Sequence, residues 1–177
     1  LTYYIKERQQ GFLKHTSLIR NLLEVDAAML MTALEGDYGA AIFLDFEAAF
    51  PSIAQSYTEK VLEWSGIPHR TVNAFKFCYQ QSRCDISIKS HTFEGFAMEA
   101  GVRQGCPLSP IVYALVAEVL MDKIEEELDQ VFVRACADDT VLIVKNFKAA
   151  AKQLEDIFRD FEKNSGLKLN FSKSIIA

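Results

Sequence analysis

Two adjacent aspartates, Asp138 and Asp139, interrupt an otherwise apolar part of the sequence. The runs Val131–Ala137 and Thr140–Val144 on either side are typical of β-strands, so we predict a tight turn at the two aspartates. Such turns normally use Asn-Gly or Asp-Gly instead. Neighbouring carboxylates at the ends of buried strands also repel each other unless a cation lies between them. The pair therefore indicates either a functional site or, as the plain alternative, a solvated acidic turn.

A third carboxylate, Asp45, stands at the end of another apolar run, Ala40–Leu44. An unpaired charge is costly there, although a helix N-cap or a buried salt bridge would also explain it. If this strand pairs beside the Asp138-Asp139 hairpin, three carboxylates meet at one edge of a sheet. Oxygen ligands of this kind suit Mg²⁺, which takes its remaining ligands from water and substrate phosphates. Two such ions would make a phosphoryl-transfer site.

A glycine-containing loop, Gly101–Pro110, precedes a predicted helix. Gly101 and Gly105 permit close backbone approach, and Gln104 offers a carboxamide. Ser109 and Pro110 are good residues for the N-cap and the first helical position. A loop of this kind before a helix favours anion binding, and ordinary turn chemistry is the alternative.

The remaining patterns predict a single α+β domain in which helices and strands are mixed along the chain. A turn is expected at Gly36–Gly39 and a hairpin around Lys89-Ser90-His91. The predicted helices run over about 18–35 (with Ser17 as cap), 56–65, 70–81, 110–128 (with Ser109 as cap) and 147–165, and a last strand is expected at Leu167–Phe171.

The charge of the chain neither supports nor excludes nucleic acid as a partner. The net charge is −5, whereas nucleic-acid binders usually carry a basic face. The whole excess lies in residues 118–129, so one acidic helix face can point away from a substrate. The four cysteines lack metal-site spacing and indicate free thiols in a reducing compartment. No signal peptide or membrane-spanning run is visible, so we expect an intracellular protein of the cytoplasm and nucleus, without membrane contact.

Four segments occur in the order of known polymerase motifs. They are Phe43-Leu-Asp-Phe-Glu-Ala-Ala-Phe50, Gly101–Pro110, Ala137-Asp-Asp139 and Gly166-Leu-Lys-Leu-Asn-Phe-Ser-Lys173. In that order they resemble motifs A, B, C and D of reverse transcriptases, and the chain is most similar to those of non-LTR (LINE-type) retrotransposons. Gln10-Gly11-Phe12 looks like the fingers segment that precedes motif A in that family.

The resemblance implies a polymerase palm, an antiparallel sheet backed by helices, with partial fingers and no thumb. It implies fingers at 1–38 and 66–104 and palm at 39–65 and 105–177. It also implies RNA-directed DNA synthesis with an RNA template, a DNA primer, dNTPs and two Mg²⁺ ions, for which Mn²⁺ is a possible substitute. A thumb and an endonuclease region would belong to a longer polyprotein.

The resemblance assigns roles to individual residues. Asp45, Asp138 and Asp139 would be catalytic metal ligands, and the backbone carbonyl of Phe46 would complete one metal site. Phe50 would lie under the sugar of the incoming nucleotide. The remaining implied contacts with the nucleotide or the templating pair belong to Arg103, Gln104, Gly105 and Lys173. A core aromatic at Phe50 and a polar loop residue at Gln104 remain the plain alternatives.

Three positions depart from the family pattern. Cys136 replaces a usual aromatic, Pro51 replaces a common Asp, and His15-Thr16 replaces a usual Gly-Arg. Cys136 and His15-Thr16 keep open a degenerate or domesticated copy that binds RNA without polymerising, against which the intact Asp45, Asp138 and Asp139 count. Another palm enzyme, such as an RNA-dependent RNA polymerase, is a second alternative, against which Phe50 and the motif B residues count.

Overall fold

The computed structural model describes residues 4–11, 13, 16–36 and 38–177. Three residues used in the sequence predictions lie outside this range. They are Phe12 of the fingers segment, His15 of the His15-Thr16 departure and Asp37 of the predicted turn.

The described chain contains six helices and six strands in mixed order, which confirms the α+β prediction. The helices are α1 (Leu18–Glu35), α2 (Ala49–Ser52), α3 (Gln55–Trp64), α4 (His69–Tyr79), α5 (Ser109–Glu127) and α6 (Phe147–Ser165). The strands are β1 (Ala40–Leu44), β2 (Arg83–Ile88), β3 (His91–Ala97), β4 (Val131–Cys136), β5 (Asp139–Val144) and β6 (Ile175–Ile176).

The main sheet is antiparallel and has the strand order β4-β5-β1-β6. Helix α1 packs on one face through Val25, which meets Ala41 and Ile143. The larger core lies on the opposite face, where α3, α5 and α6 pack together. Because helices cover both faces, β1 is buried along nearly its whole length, as its uninterrupted apolar sequence predicts. Strands β2 and β3 form a separate hairpin.

Helix α1 is capped as predicted but exposes much of its apolar surface. The Ser17 side chain accepts a hydrogen bond from the Arg20 backbone N–H. Within α1 the fully buried residues are Asn21 and Val25, whereas Leu22 and Leu23 are 60% and 65% exposed. Most of the large apolar side chains of α1 therefore do not pack on the sheet.

Helix α5 begins differently from the sequence prediction. Leu108 occupies the N-cap position, and Ser109 is the first helical residue. The Ser109 hydroxyl donates to the Arg103 carbonyl at 2.7 Å, so it links the helix to the preceding loop instead of capping the helix. Pro110 still lies in the first turn, where its missing N–H costs nothing.

The charge of α5 suggested an acidic face that points to solvent. Part of that face is instead paired with a buried arginine. Arg8 is 4% exposed and donates to the carboxylates of Glu118, Asp122 and Glu125. Burial raises the pKa of Glu118, and the neighbouring Arg8 charge opposes that rise. Part of the negative charge of the chain is therefore neutralised inside the fold.

The predicted strand Leu167–Phe171 is not formed. This segment makes a single bridge, between Leu169 and Phe46, and Phe171 is 75% exposed. The fourth strand of the sheet is β6 instead, which pairs with Ile42 and Phe43 of β1. Residues 166–174 run past the end of β1 as a loop that contacts the backbone near Asp45.

Candidate functional site

Asp45 follows β1 and is held by the loop that precedes β6. The Asn170 backbone N–H donates to the Asp45 carbonyl at 2.8 Å, and the Asp45 N–H donates to the Ser174 hydroxyl at 3.2 Å. The Ser174 hydroxyl donates in turn to the Asn170 carbonyl. These three contacts fix the backbone of Asp45 and leave its side chain about one third exposed.

The hairpin between β4 and β5 carries the other two aspartates, with its turn one residue earlier than predicted. Cys136 pairs with Asp139, so Ala137 and Asp138 form the turn and Asp139 already belongs to β5. Ala137 has a φ of +61°, in the left-handed region that non-glycine residues seldom adopt. The sequence predicted the turn at Asp138-Asp139, because the need for an unusual backbone at Ala137 is not visible in the residue type.

The strand register brings the three carboxylates together. Leu44 pairs with Thr140, so the residue that follows β1, Asp45, lies beside Asp139. The pKa of Asp139 is raised, first by burial and then by the negative charges of Asp138 and Asp45. Three mutually repelling oxygen donors at one sheet edge are chemically suited to a hard divalent cation.

The three aspartates fit Mg²⁺ as an open set of ligands. Among the described residues, no three His, Cys, Asp or Glu side chains form a ready-made cluster around one point. Mg²⁺ is usually held by one or two carboxylates together with water and substrate phosphates, and it needs no closed protein cage. Asp45 and Asp138 are the residues that would hold it, with Asp139 alongside. Phe46, whose carbonyl is the other predicted ligand, is buried and lies next to Asp45.

Phe50 lies on the short helix α2, which the sequence did not predict. Its ring stacks on that of Tyr113 from α5, with centroids 4.7 Å apart and planes 19° from parallel. Tyr113 is 1% exposed, and its pKa is raised by burial and then by the charges of Asp138 and Asp139. Tyr113 therefore connects Phe50 to the carboxylates, a role that no sequence motif signalled.

A cavity of about 390 Å³ lies between Phe50 and the loop before α5, and Gln104 and Gly105 line it. The loop is pinned beside Phe50, because the Val102 N–H donates to the Phe50 carbonyl at 2.9 Å. The predicted close approach is confirmed at Gly101, where a Cβ would lie 2.7 Å from the Pro51 carbonyl oxygen. At Gly105 no described atom lies within 4 Å of the position that a Cβ would take, so this side of the glycine is open to the cavity.

Two basic residues predicted to contact substrate have different surroundings. The Lys173 ammonium lies 4.0 Å from an Asp45 carboxylate oxygen, and the side chain is 69% exposed. The Arg103 guanidinium donates to the Cys78 carbonyl at 2.6 Å and to the Ser82 hydroxyl at 2.7 Å. It also lies 5.4 Å from the centre of the Tyr79 ring. Arg103 thus joins the loop to the end of α4, whereas Lys173 faces the carboxylates.

The sequence analysis also missed Gln9. This residue is fully buried and bonds to the backbone of Ala137 in the aspartate turn. Nothing in the local sequence marks it, because its partner lies 128 positions further along the chain.

Comparison with known proteins relates the chain to reverse transcriptases and retrotransposon proteins. The family model described as reverse transcriptase (RNA-dependent DNA polymerase) matches residues 2–177. A retrovirus-related Pol polyprotein from a type-2 retrotransposable element of Drosophila melanogaster is 28% identical over 172 residues, which are 94% of this chain and 16% of the polyprotein. An uncharacterized 149 kDa protein of the Xenopus laevis transposon TX1 is 26% identical over 144 residues, 76% of this chain and 11% of that protein. The chain thus spans less than a fifth of either curated relative.

Solved structures with the same fold include two telomerases. Apo telomerase from Candida tropicalis superimposes with a TM-score of 0.74 at 13% identity, over 100% of this chain and 34% of that one. Telomerase from Candida albicans, in complex with a fragment of telomeric RNA, gives 0.65 at 13% identity, over 95% and 31%. These likenesses confirm the polymerase-palm fold, and the retrotransposon relatives confirm the resemblance to LINE-type enzymes. The match along nearly the whole sequence shows that this chain belongs to the reverse transcriptase (RNA-dependent DNA polymerase) family.

Proposed function

We propose that this domain catalyses RNA-directed DNA synthesis as part of a retroelement protein. The observation that carries the proposal is the placement of Asp45 beside Asp139, with Asp138 next to it in the turn. Repulsion among these groups contributes to the raised pKa of Asp139 and would be relieved by bound cations. Family membership then selects nucleotidyl transfer among the reactions that such a site supports.

In the proposed reaction, the primer 3′-hydroxyl attacks the α-phosphorus of a dNTP. A bond forms between the hydroxyl oxygen and phosphorus, the bond to the bridging oxygen of the β-phosphate breaks, and pyrophosphate leaves with the electron pair. Asp45 and Asp138 would hold two Mg²⁺ ions, or Mn²⁺ in their place, with Asp139 and the Phe46 carbonyl as further ligands. When bound, these ions would supply positive charge that favours transfer of the hydroxyl proton to water and stabilises the leaving pyrophosphate.

The neighbouring residues are proposed to position the substrates. The Phe50 ring, supported from below by Tyr113, would contact the sugar of the incoming nucleotide. Gln104 and Gly105 line the same cavity and would contact the base pair. Lys173 lies next to Asp45, where its ammonium group can reach a phosphate. The Arg103 side chain would act indirectly, because it already bonds to the end of α4.

We propose that the chain is divided into palm and fingers as the family resemblance implies. We assign 39–65 and 105–177 to the palm and 1–38 and 66–104 to the fingers. The separate β2–β3 hairpin, which lies outside the main sheet, supports this division.

An RNA template and a DNA primer would be the partners, and such substrates imply an intracellular site of action. No helix in the described part of the chain is long and apolar enough to cross a membrane.

The test is primer extension by the intact protein on an RNA template, with Mg²⁺ and either dNTPs or rNTPs. We expect dNTP-dependent extension that stops when the divalent ion is chelated. Extension with rNTPs in preference to dNTPs would indicate an RNA polymerase instead. RNA binding without extension under any of these conditions would indicate a non-catalytic copy.

A further inference from the structure

The Gln9 side chain makes three hydrogen bonds, two of them to the aspartate turn. Its carboxamide oxygen accepts from the backbone N–H groups of Ala137 and Gly11, each at 2.9 Å. Its amide nitrogen donates to the Ala137 carbonyl at 3.2 Å. Both backbone polar groups of Ala137 are therefore satisfied by one fully buried side chain.

The backbone around Gln9 lies directly along the same hairpin. The Gln10 N–H donates to the Ala135 carbonyl at 2.8 Å, and the Ala135 N–H donates to the Arg8 carbonyl at 2.9 Å. At Gly11 a Cβ would lie 2.2 Å from the Ala137 nitrogen, a distance that no side chain can occupy. Residues 8–11 thus form a short strap along β4 that ends on the turn.

The strap is itself anchored to helix α5. The Arg8 side chain bonds to Glu118 at 2.8 Å and also contacts Asp122 and Glu125, all on α5. Arg8 precedes Gln9 directly, so the buried ion pairs fix the backbone from which the Gln9 side chain reaches the turn.

Resting on the proposed function, we infer that Gln9 is a positioning residue that sets the affinity of the aspartate site for divalent cations. Ala137 holds a left-handed φ of +61°, which an alanine does not prefer, so the turn needs external contacts to stay in place. Asp138 follows Ala137 directly, and its carboxylate moves with the turn. Groups that orient metal ligands typically change metal affinity by about 10–100-fold when they are removed.

The first test measures the turn itself and does not depend on activity. Gln9→Met keeps the length of the side chain but removes all three hydrogen bonds. Gln10→Met is the matched control, because the Gln10 side chain bonds to Glu7 and Ser17 and not to the turn. In the intact protein we expect at least about tenfold faster hydrogen exchange at the Ala137 amide in Gln9→Met, and no change there in Gln10→Met. Equal exchange in both variants would overturn the inference.

The second test measures cation binding, by calorimetric titration with Mn²⁺ in the absence of substrates. Gln9→Met is expected to weaken binding by about 10–100-fold, and Gln10→Met to leave it unchanged. Gln9→Glu should give an intermediate loss, because a carboxylate can still accept from both N–H groups but cannot donate to the Ala137 carbonyl. Wild-type affinity in a folded Gln9→Met variant would contradict the inference.

The third measurement separates this inference from the proposed function. In primer extension, Gln9→Met should raise the Mg²⁺ concentration for half-maximal rate while KM for the primer–template stays constant. High Mg²⁺ should then restore kcat, which a general folding defect would not allow. If the wild type does not extend primers at all, the proposed function fails, whereas exchange and Mn²⁺ binding still decide the role of Gln9.

Discussion

Phe50 and Tyr113 form a stacked pair that joins the cavity beside Gln104 to the carboxylates. Tyr113 is buried in α5 and lies close enough to Asp138 and Asp139 for their charges to raise its pKa. The Phe50 ring stacks on this tyrosine, and the Phe50 carbonyl accepts a hydrogen bond from Val102 in the loop before α5. The orientation of Phe50 is therefore fixed by the same helix that underlies the aspartate hairpin.

Replacing Phe50 by Val should let the enzyme accept ribonucleotides. The ring would collide with a 2′-hydroxyl and remove its water without offering a hydrogen bond, at a cost of about 1–3 kcal/mol. Its loss should lower the ratio of kcat/KM for dNTP over rNTP by about tenfold or more, because 1.4 kcal/mol is a factor of ten. Phe158→Val, at a half-buried aromatic of α6, is the control and should leave the ratio unchanged. An unchanged ratio in Phe50→Val would make Phe50 an ordinary core residue.

Asp138→Asn should abolish extension without unfolding the domain. The substitution keeps the size of the side chain but removes one charge from the cation site, so the loss should exceed about 100-fold in kcat. Asp129→Asn, at an exposed aspartate after α5, serves as the control and should retain full activity. Circular dichroism checks the fold of both variants. Near wild-type extension by a folded Asp138→Asn protein would contradict the metal assignment.

The bounds of an element could be predicted from the local sequence where its own residues determine its conformation. The bounds of β1 match the prediction, because an uninterrupted apolar run needs burial on both faces. Helix α6 also matches, since the Asn146 side chain caps its start and Gly166 adopts the left-handed conformation at its end.

The failures occurred where distant contacts decide the conformation. Leu167–Phe171 alternates like a strand, yet its backbone bonds to the turn after β1, at Asp45 and Glu47, and β6 takes its place in the sheet. For the candidate site, the apolar runs that precede the carboxylates predicted the three aspartates, and the resemblance added Phe50. Gln9 and Tyr113 were missed because their importance comes from contacts across the fold.

Gly101→Ala should destabilise the domain and disturb the cavity beside Phe50. Gly101 has a φ of +89°, and a Cβ there would lie 2.7 Å from the Pro51 carbonyl oxygen. A left-handed backbone alone costs a non-glycine residue about 1–2 kcal/mol, and the clash adds to it. We expect a loss of more than about 2 kcal/mol in the free energy of unfolding, and a raised KM for dNTP.

The control for this variant is Gly36→Ala at the end of α1. Gly36 has an extended backbone, and no described atom lies within 4 Å of a Cβ built there. The free energy of unfolding should be unchanged or higher by a few tenths of a kcal/mol, because alanine restricts the unfolded chain (about 0.4–1 kcal/mol at compatible sites). Equal stability of the two variants, measured by urea denaturation, would show that the loop moves freely away from Pro51.

Arg8→Met should destabilise the domain in a pH-dependent way. The substitution leaves Glu118, whose side chain is 6% exposed, without its positive partner, and breaking a buried pair in this manner costs about 3–5 kcal/mol. Burial already raises the pKa of Glu118 above its ordinary value of 4.5, and Arg8 opposes the rise. Without Arg8 the pKa should therefore rise further.

The sign of the pH effect follows from this shift. A carboxyl group whose pKa is higher in the folded state binds a proton more tightly there, so its contribution to stability is lost as the pH rises through the folded pKa. Arg8→Met should consequently be less destabilised at about pH 5 than at about pH 8. The double variant Arg8→Met/Glu118→Gln should lose this slope, because the titrating group is gone. Arg159→Met, at an exposed ion pair of α6, should behave as wild type at both pH values. A slope that persists in the double variant would assign the pH dependence to a group other than Glu118.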